Sequence, residues 1–409
     1  MSRRRVVVTG LGVKTPAGID LDSFWAGLVA GRSAAGPIRG FDTSDHPAKI
    51  ACEVSDFDPE PYLGAKEARR ADRVAQLGFA AAADALASAG DVAADPARCG
   101  VVAGTGIGGL GTLEEQERLY IEKGAGRVSP FLVPMMMPNA TAALVALHHG
   151  WTGPNMCVAT ACAAGAHAIG EAARLVREGA ADVVLAGGAE AAVTPVALAA
   201  FHRMGALSGR SDDPERASRP FDADRDGFVM GEGAAFCVLE DLDRARARGA
   251  RIWGELLGYG RTCDAFHITA PAPGGAGAAA CMQLALDDAG LAPSAIGHVN
   301  AHGTSTPLND AAEAEAIAKL FGEGGVPVTS TKGVTGHLVG AAGAAEAVAS
   351  LLALAHGAVP PTANHERTDP ALAVDVVAGG PRPLPEGPAL SNSFGFGGHN
   401  ATLVLGAAA

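Results

Sequence analysis

The 409-residue sequence contains no CxxC pair, no run of 18 apolar residues and fewer basic than acidic side chains. Its seven cysteines are an odd number, which argues against a framework of disulfide bonds. No apolar segment of signal-peptide length follows the basic start at residues 1–5, and the longest apolar stretches, such as residues 347–355, have the length of a core helix. We therefore expect a reduced, cytoplasmic protein that does not span a membrane.

The shortage of basic residues, 31 against 44 acidic ones, gives a formal net charge of −13. Such a charge disfavours nucleic acid and anionic membranes as partners, and any acidic partner must bind a local basic patch. Four basic residues share one predicted helical face because they follow the i, i+3, i+4, i+7 spacing. The predicted patch comprises Lys66, Arg69, Arg70 and Arg73, with Arg127 and Arg203 as outlying members.

Glycine is abundant, with 55 residues, in a chain that is 48% hydrophobic. The length supports a large core and two or three units of domain size, and the alternation of strands and helices predicts an α/β fold. Ala-Ala-Gly-Ala at residues 163–166 recurs at residues 341–344, each time after a β-rich run. This repeat predicts two duplicated halves, residues 1–250 and 251–409, with central helices shared between two sheets.

Cys162 lies at the corner between a short predicted strand, residues 156–160, and a predicted helix, residues 163–178. A cysteine on the first turn of a buried helix is close to unpaired N–H groups and to the positive end of the helix dipole. Both favour the thiolate, so we expect the pKa of Cys162 to lie below the usual value of about 8.5 and the sulfur to be a nucleophile. The other six cysteines lack this setting.

Three further segments place polar side chains at predicted strand ends, where α/β folds keep their sites. They are residues 300–306, which include His302, residues 331–337, which include Lys332 and His337, and residues 391–398. A cysteine and two histidines are the set expected of thiol-based acyl chemistry if the fold brings them together. The glycine-rich residues 104–109 match a dinucleotide-binding motif, but no strand ending in an acidic residue follows, so we expect a turn that lines a cavity.

Four motifs, found in order along the chain, carry a resemblance to a known family: TACAAG at Cys162, NAHGTSTP at His302, STKGVTGHLVGAAGAAE at Lys332 and His337, and SNSFGFGGHN near the C-terminus. The sequence resembles the β-ketoacyl-[acyl-carrier-protein] synthases over its whole length, with the synthase II group nearest. The resemblance implies an acyltransferase with the thiolase fold, in which five layers αβαβα are built from two duplicated halves, and a dimer.

The resemblance also implies a role for each matching position in the reaction centre. Cys162 is expected to accept the acyl group, whereas His302 and His337 are expected to polarise the malonyl thioester carbonyl and to stabilise the enolate left by decarboxylation. The backbone N–H groups of Cys162 and Phe396 are expected to form the oxyanion hole. Lys332 is expected to order the polar groups around His337 and Glu346.

Other positions are implied to bind the substrate and the carrier. By the resemblance, Phe396 gates the acyl pocket, Ile107 and Phe201 line it, and Thr304 and Thr306 contact the pantetheine arm. The residues that match the carrier-binding helix of the family are Lys66, Arg69 and Arg70. The residues that match a monovalent-cation site of relatives are Asn300, Glu346, Ser391 and Asn392. No resident cofactor or other metal is implied, because 4′-phosphopantetheine arrives on the acyl carrier protein.

Several alternatives stay open at this point. A noncatalytic chain-length-factor subunit would lack the cysteine, a thiolase would use a second cysteine as acid and base, and a serine or cysteine hydrolase would show a GxSxG elbow, which is absent. A type II polyketide ketosynthase acting on reduced or polyene chains, paired with a related subunit, fits the motifs as well as a fatty-acid enzyme does. His399 departs from the family pattern, since many relatives have threonine there, and it bears on chain length or pathway.

Overall fold

The structure is a computed structural model that describes residues 4–408, so the first three residues of the basic start lie outside the described residues. The strands are β1 (Val6–Lys14), β2 (Gly36–Pro37), β3 (Ile50–Ala51), β4 (Cys99–Gly104), β5 (Asn155–Val158), β6 (Val183–Glu190), β7 (Gly233–Asp241), β8 (Gly254–Cys263), β9 (His298–Asn300), β10 (Pro327–Thr329), β11 (Ala358–Val359), β12 (Asp375–Val376), β13 (Arg382–Pro383), β14 (Ala389–Gly395) and β15 (His399–Gly406). The helices are α1 (Leu21–Ala30), α2 (Glu60–Ala68), α3 (Arg73–Ala89), α4 (Leu110–Lys123), α5 (Leu132–Met136), α6 (Ala140–His149), α7 (Ala164–Arg177), α8 (Pro195–Arg203), α9 (Leu242–Ala247), α10 (Ala276–Ala289), α11 (Pro307–Phe321), α12 (Lys332–Thr335) and α13 (Ala342–His356).

Two strand arrays with the same order and directions form the sheet. The first runs β5-β4-β6-β7-β1 and the second β10-β9-β14-β15-β8, with β12 added beyond β10. In each array the first three strands are parallel and the last two pairings are antiparallel. The arrays are joined where β1 pairs with β8 at Val7–Glu255 and Val8–Gly254. The predicted duplication is therefore present in the topology itself.

Helices cover both arrays and also lie between them. On one outer side α3 packs on β1, β6 and β7, and α6 packs on β4 and β5; on the other, α10 packs on β8 and β15 beside α11. The central helices α7 and α13 contact each other and strands of both arrays. This gives the layers αβαβα, so the predicted α/β class and the five-layered thiolase fold are confirmed.

The repeated Ala-Ala-Gly-Ala motif lies where the two central helices meet. A Cβ atom added to Gly165 would lie 2.8 Å from the backbone nitrogen of Ala344, and one added to Gly343 would lie 2.8 Å from the Cβ of Ala166. Cβ atoms do not approach other atoms this closely without a shift of the backbone. Small residues are therefore required at this contact, which explains why the motif occurs once in each half.

One segment, Val339–His356, is long and apolar enough to cross a membrane by length and composition alone. In this protein 83% of the segment is buried. It contains α13, which packs between the two strand arrays, and its apolar side chains are therefore explained by the core.

Candidate active site

The nucleophile corner is a strained turn between β5 and α7. A single 3₁₀ turn, Ala161–Ala163, precedes α7, and Ala161 has φ of 49°, a left-handed conformation that non-glycine residues rarely adopt. Cys162 is buried in this turn, and the backbone N–H groups of Phe396 and of Cys162 itself act on its sulfur. The corner therefore presents a thiol next to two N–H donors from different parts of the chain.

The fold brings the cysteine and the two histidines together. His337 Nε2 lies 3.1 Å from Cys162 Sγ, and the rings of His302 and His337 are 5.3 Å apart at 81°. One sulfur or nitrogen atom from each of the three residues lies within 4.8 Å of the others. All three line a cavity of about 580 Å³. The convergence that the sequence could only suppose is thus present in the structure.

Hydrogen bonds on the far side of each ring decide which nitrogen carries the proton. The Val339 N–H donates to His337 Nδ1 over 3.3 Å, and the Lys332 ammonium lies 3.3 Å from His302 Nδ1. Because Nδ1 accepts in both rings, Nε2 carries the hydrogen in both. Burial and the charge of Lys332 hold the pKa of both rings well below the usual value. Two neutral imidazoles therefore offer Nε2–H groups, which suit a developing anion and not a metal ion.

The predicted pKa of the thiol is wrong. Burial raises the pKa of Cys162 to about 11, although the charge of Lys332 and the N–H groups of Phe396 and Cys162 oppose this rise. The helix terminus favours the thiolate, but the loss of solvation at the buried Cys162 disfavours the charged form and outweighs that effect. Cys162 is therefore a neutral thiol in the absence of substrate.

Lys332 pairs with Glu346 as predicted, but its remaining hydrogen bonds go to His302 and not to His337. Its ammonium donates to the carbonyl oxygen of His302 and pairs with Glu346, and both side chains of the pair are almost fully buried. Burial raises the pKa of Glu346 to about 7, and Lys332 opposes that rise. Glu346 therefore holds the Lys332 ammonium in place behind His302.

Glu313 belongs to the site although the sequence analysis did not single it out. Its carboxylate accepts the N–H of His302 at 2.8 Å and that of Gly303 at 2.7 Å, and it lines the cavity. Burial raises its pKa to about 7. One feature of the sequence indicates its burial. Glu313 precedes Ala316 by three residues and Ile317 by about one helical turn, so it lies on the buried face of α11.

The residues predicted to bind the acyl chain and the pantetheine arm all line the cavity. The Phe396 and Phe201 rings are 6.4 Å apart, and the hydroxyl oxygens of Thr304 and Thr306 are 2.9 Å apart. Thr306 also caps α11 by accepting a backbone N–H. The predicted residues that line the cavity wall are Ile107, Phe201, Thr304, Thr306 and Phe396.

Three of the four residues predicted to hold a monovalent cation fit that role. Among residues 4–408, the side-chain oxygens Asn300 Oδ1, Glu346 Oε2 and Ser391 Oγ are buried and accept or donate no hydrogen bond, and Asn300 pairs with Ser391 across β9 and β14. Hard cations prefer such oxygen ligands. The side chain of Asn392 does not fit, because its oxygen accepts from Thr402 and its nitrogen donates to Glu313.

The predicted basic patch does not lie on one helical face. Helix α2 ends at Ala68, and Asp72 caps the start of α3, so the i, i+7 spacing does not apply across the break. Arg73 is taken up by Glu232, to which it donates twice, and by the carbonyl oxygen of Val54. The members that are exposed are Lys66, Arg69, Arg70, Arg127 and Arg203, and Arg70 also stacks 4.5 Å from the centre of the Phe131 ring.

A thiol beside backbone N–H donors, two neutral Nε2–H groups and a cavity with apolar walls define a thiol-dependent acyltransferase. The chain belongs to the β-ketoacyl synthase family: the N-terminal domain of that family matches residues 3–245 and the C-terminal domain residues 253–366. It is therefore a condensing enzyme, as the sequence motifs indicated.

Relatives and solved structures match along the full length. A 3-oxoacyl-[acyl-carrier-protein] synthase 2 from Synechocystis sp. is 50% identical over 99% of this chain and 98% of its own. The ishigamide ketosynthase/chain length factor superposes with a TM-score of 0.94 at 38% identity, covering 100% of both chains. One chain of a solved complex, a type II PKS acyl-carrier protein with its ketosynthase bound to the hexaketide, superposes with a TM-score of 0.90 at 33% identity. The match again covers 100% of both chains.

Proposed function

We propose that the protein condenses a malonyl group, carried on an acyl carrier protein, with an acyl group held on Cys162, and so lengthens the acyl chain by two carbons. The observation that carries this proposal is the 3.1 Å contact between Cys162 Sγ and His337 Nε2, with the His302 ring beside it in one cavity. A nucleophile and an enolate-stabilising pair must share one reaction centre for a decarboxylative condensation.

In the first step the sulfur of Cys162 attacks the acyl thioester of the carrier. The bond between the acyl carbon and the carrier sulfur breaks, and the proton of the Cys162 thiol leaves with the carrier thiol. The N–H groups of Cys162 and Phe396 stabilise the negative oxygen of the tetrahedral intermediate. Because Cys162 starts as a neutral thiol, its ionisation is coupled to the arrival of the acyl group.

In the second step the malonyl thioester loses carbon dioxide. The Nε2–H groups of His302 and His337 donate to its carbonyl oxygen and stabilise the enolate that remains. The enolate carbon then attacks the acyl carbonyl, a carbon–carbon bond forms, and the sulfur of Cys162 leaves with the electron pair. The N–H groups that served acylation stabilise the negative oxygen of this second tetrahedral intermediate, and the released sulfur takes up a proton from water to restore the thiol.

We further propose that no cofactor resides in the protein and that 4′-phosphopantetheine enters on the carrier, with its arm along Thr304 and Thr306. Both hydroxyl groups line the cavity, with their oxygens 2.9 Å apart, which supports this path. The seven free cysteines support a reducing, cytoplasmic setting.

Intact-mass analysis with a panel of acyl-carrier thioesters tests the proposed function. We expect one acyl group to be retained on Cys162 and a β-keto product two carbons longer after malonyl-carrier is added. The acyl length and unsaturation that load fastest decide between fatty-acid extension, which the Synechocystis relative favours, and a polyketide role, which the solved type II PKS complex favours. Failure to load any acyl group would contradict the proposal.

We propose that two copies associate through the face formed by α4, α5, α6 and the edge strand β5. Apolar side chains stay exposed there, and the outer edge of β5 has no partner strand within the described residues. They include Tyr120, Ile121, Val133, Leu147 and Met156. A related subunit could cover the same face in a heterodimer, as the ketosynthase/chain length factor pairing of the ishigamide protein illustrates.

We propose that Arg69 and Arg70, which are exposed just after α2, bind the acidic carrier. A solved complex of a related ketosynthase with its acyl-carrier protein supports such an interaction. We expect Arg69→Glu/Arg70→Glu to raise KM for carrier-bound substrate about tenfold or more and to flatten its salt dependence. Turnover of a small-molecule thioester should not change, since neither side chain lines the cavity.

The control for charge is Arg32→Glu/Arg367→Glu, which makes the same change at two exposed arginines outside α2 and the turn after it. It should leave KM for the carrier within about twofold of the parent. Equal losses on carrier-bound and small-molecule substrates, or no loss on either, would remove this surface from the docking site.

A further inference from the structure

The turn that begins α13 is a structural copy of the nucleophile turn. It spans Val339–Ala341, and Val339 has φ of 47°, close to the 49° of Ala161. Since Gly343 corresponds to Gly165 in the repeated motif, Gly340 stands where Cys162 stands in the first half. The second turn thus keeps the strained backbone without the thiol.

At this second turn the backbone N–H of Gly340, which corresponds to the N–H of Cys162 in the first turn, donates to a carboxylate. Glu190, at the end of β6, is fully buried and accepts the Gly340 N–H at 3.1 Å and the Gly106 N–H at 2.6 Å. Its other oxygen accepts the Thr105 hydroxyl at 3.0 Å. Burial raises the pKa of Glu190 to about 7, and these hydrogen bonds together with the Ile107 N–H oppose that rise. Among the described residues no basic side chain pairs with Glu190, so backbone N–H groups and one hydroxyl hold it.

The two loops that Glu190 joins both serve the reaction centre. One carries Ile107, which forms part of the cavity wall. In the other, Val339 precedes Gly340 and donates its N–H to His337 Nδ1. That hydrogen bond is what leaves the proton of His337 on Nε2, where it faces Cys162.

We propose that Glu190 is a positioning residue: its carboxylate holds the turn at residues 339–341 so that the Val339 N–H stays on His337 Nδ1, and it holds Ile107 in the cavity wall. This inference rests on the proposed function, because it assigns His337 to the malonyl half-reaction. Glu190 touches no reacting atom, so it acts only through His337 and the loop at residues 104–109.

The Glu190→Gln variant separates positioning from general stability. A glutamine keeps the size of the side chain but offers one uncharged acceptor oxygen, in place of a carboxylate, to the N–H groups of Gly106, Ile107 and Gly340 and to the Thr105 hydroxyl, so the hold on the two loops weakens. We expect decarboxylation of malonyl-carrier to fall about 10- to 100-fold, because a displaced imidazole loses its N–H contact. Acylation of Cys162 should fall less than decarboxylation does, since the N–H groups of Cys162 and Phe396 lie outside this network.

Thr105→Ser is the matched control. It changes the same loop but keeps the hydroxyl that donates to Glu190 and accepts the Gly108 N–H, so decarboxylation should stay within about threefold of the parent. Glu190→Asp retains the charge but withdraws the carboxylate by one methylene, and it should show the same split between decarboxylation and acylation. This second variant decides the question if Glu190→Gln does not fold.

A spectroscopic readout is independent of activity. In histidine-labelled protein, the ¹⁵N shifts of His337, assigned by comparison with His337→Asn, should report a proton on Nε2 in the parent and a mixture of the two tautomers in Glu190→Gln. Equal loss of acylation and decarboxylation with an unchanged tautomer, or full activity in both variants, would overturn the proposal. A parent protein that does not decarboxylate malonyl-carrier would contradict the proposed function, whereas the tautomer measurement would still test Glu190.

Discussion

Replacing Cys162 by alanine is expected to reduce condensation by roughly 10⁴-fold or more while malonyl decarboxylation continues. Among the described residues that line the cavity, Cys162 supplies the one thiol, whereas His302 and His337 keep their own hydrogen bonds to Lys332 and Val339. Loss of one sulfur atom from a buried turn should leave the fold intact. Mass analysis of acyl-enzyme, product and acetyl-carrier measures the three outcomes separately.

The control for this variant is Cys157→Ala, since Cys157 lies on the neighbouring β5 and its sulfur contacts the Pro138 carbonyl and not a histidine. It should retain both activities. Condensation by Cys162→Ala within tenfold of the parent would contradict the assignment of the nucleophile. Loss of decarboxylation in a folded Cys162→Ala protein would show that the two half-reactions do not separate.

The second large effect is expected at the histidine pair. His302→Ala and His337→Ala each remove one Nε2–H donor to the enolate oxygen, which should cost about 2 to 4 kcal/mol of transition-state stabilisation, or roughly 30- to 10³-fold in kcat. Acylation of Cys162 should survive better than condensation, above all in His302→Ala, because His337 is the ring in contact with the sulfur.

Rapid-mixing measurements of acyl-enzyme formation, followed by product formation after malonyl-carrier is added, separate the two steps. His356→Ala is a suitable control, since this ring lies at the end of α13 and stacks on Trp25 with a centroid distance of 4.8 Å. Either active-site variant condensing at the parental rate would end the assignment of that histidine.

The fold was predictable from the sequence because its duplication is visible in local residues. The contact between α7 and α13 admits only small side chains at Gly165 and Gly343, so the same four-residue motif appears in both halves. The candidate nucleophile was visible for a related reason, since a strand, a cysteine and an Ala-rich helix follow one another without interruption. The pairing of β1 with β8, which joins the two arrays, leaves no such local signal.

What the sequence did not predict depends on burial and on partners far away in the chain. The thiol pKa of Cys162 is set by a cavity whose walls come from several segments. Arg73 looked like part of a solvated helix face, but Glu232, which binds it, lies 159 residues away. Glu190 and Glu313 had no motif of their own, because their role is to accept backbone N–H groups from other loops.

The two central helices have a consequence for splitting the chain. Each array of strands has its inner face covered by α7 and α13 together, and these helices come from different halves. A polypeptide divided at the exposed link near Gly249 would therefore yield two fragments that each expose a wide apolar surface when alone. Mixed together, the fragments can bury those surfaces only against each other, so catalytic activity would become a reporter of fragment complementation.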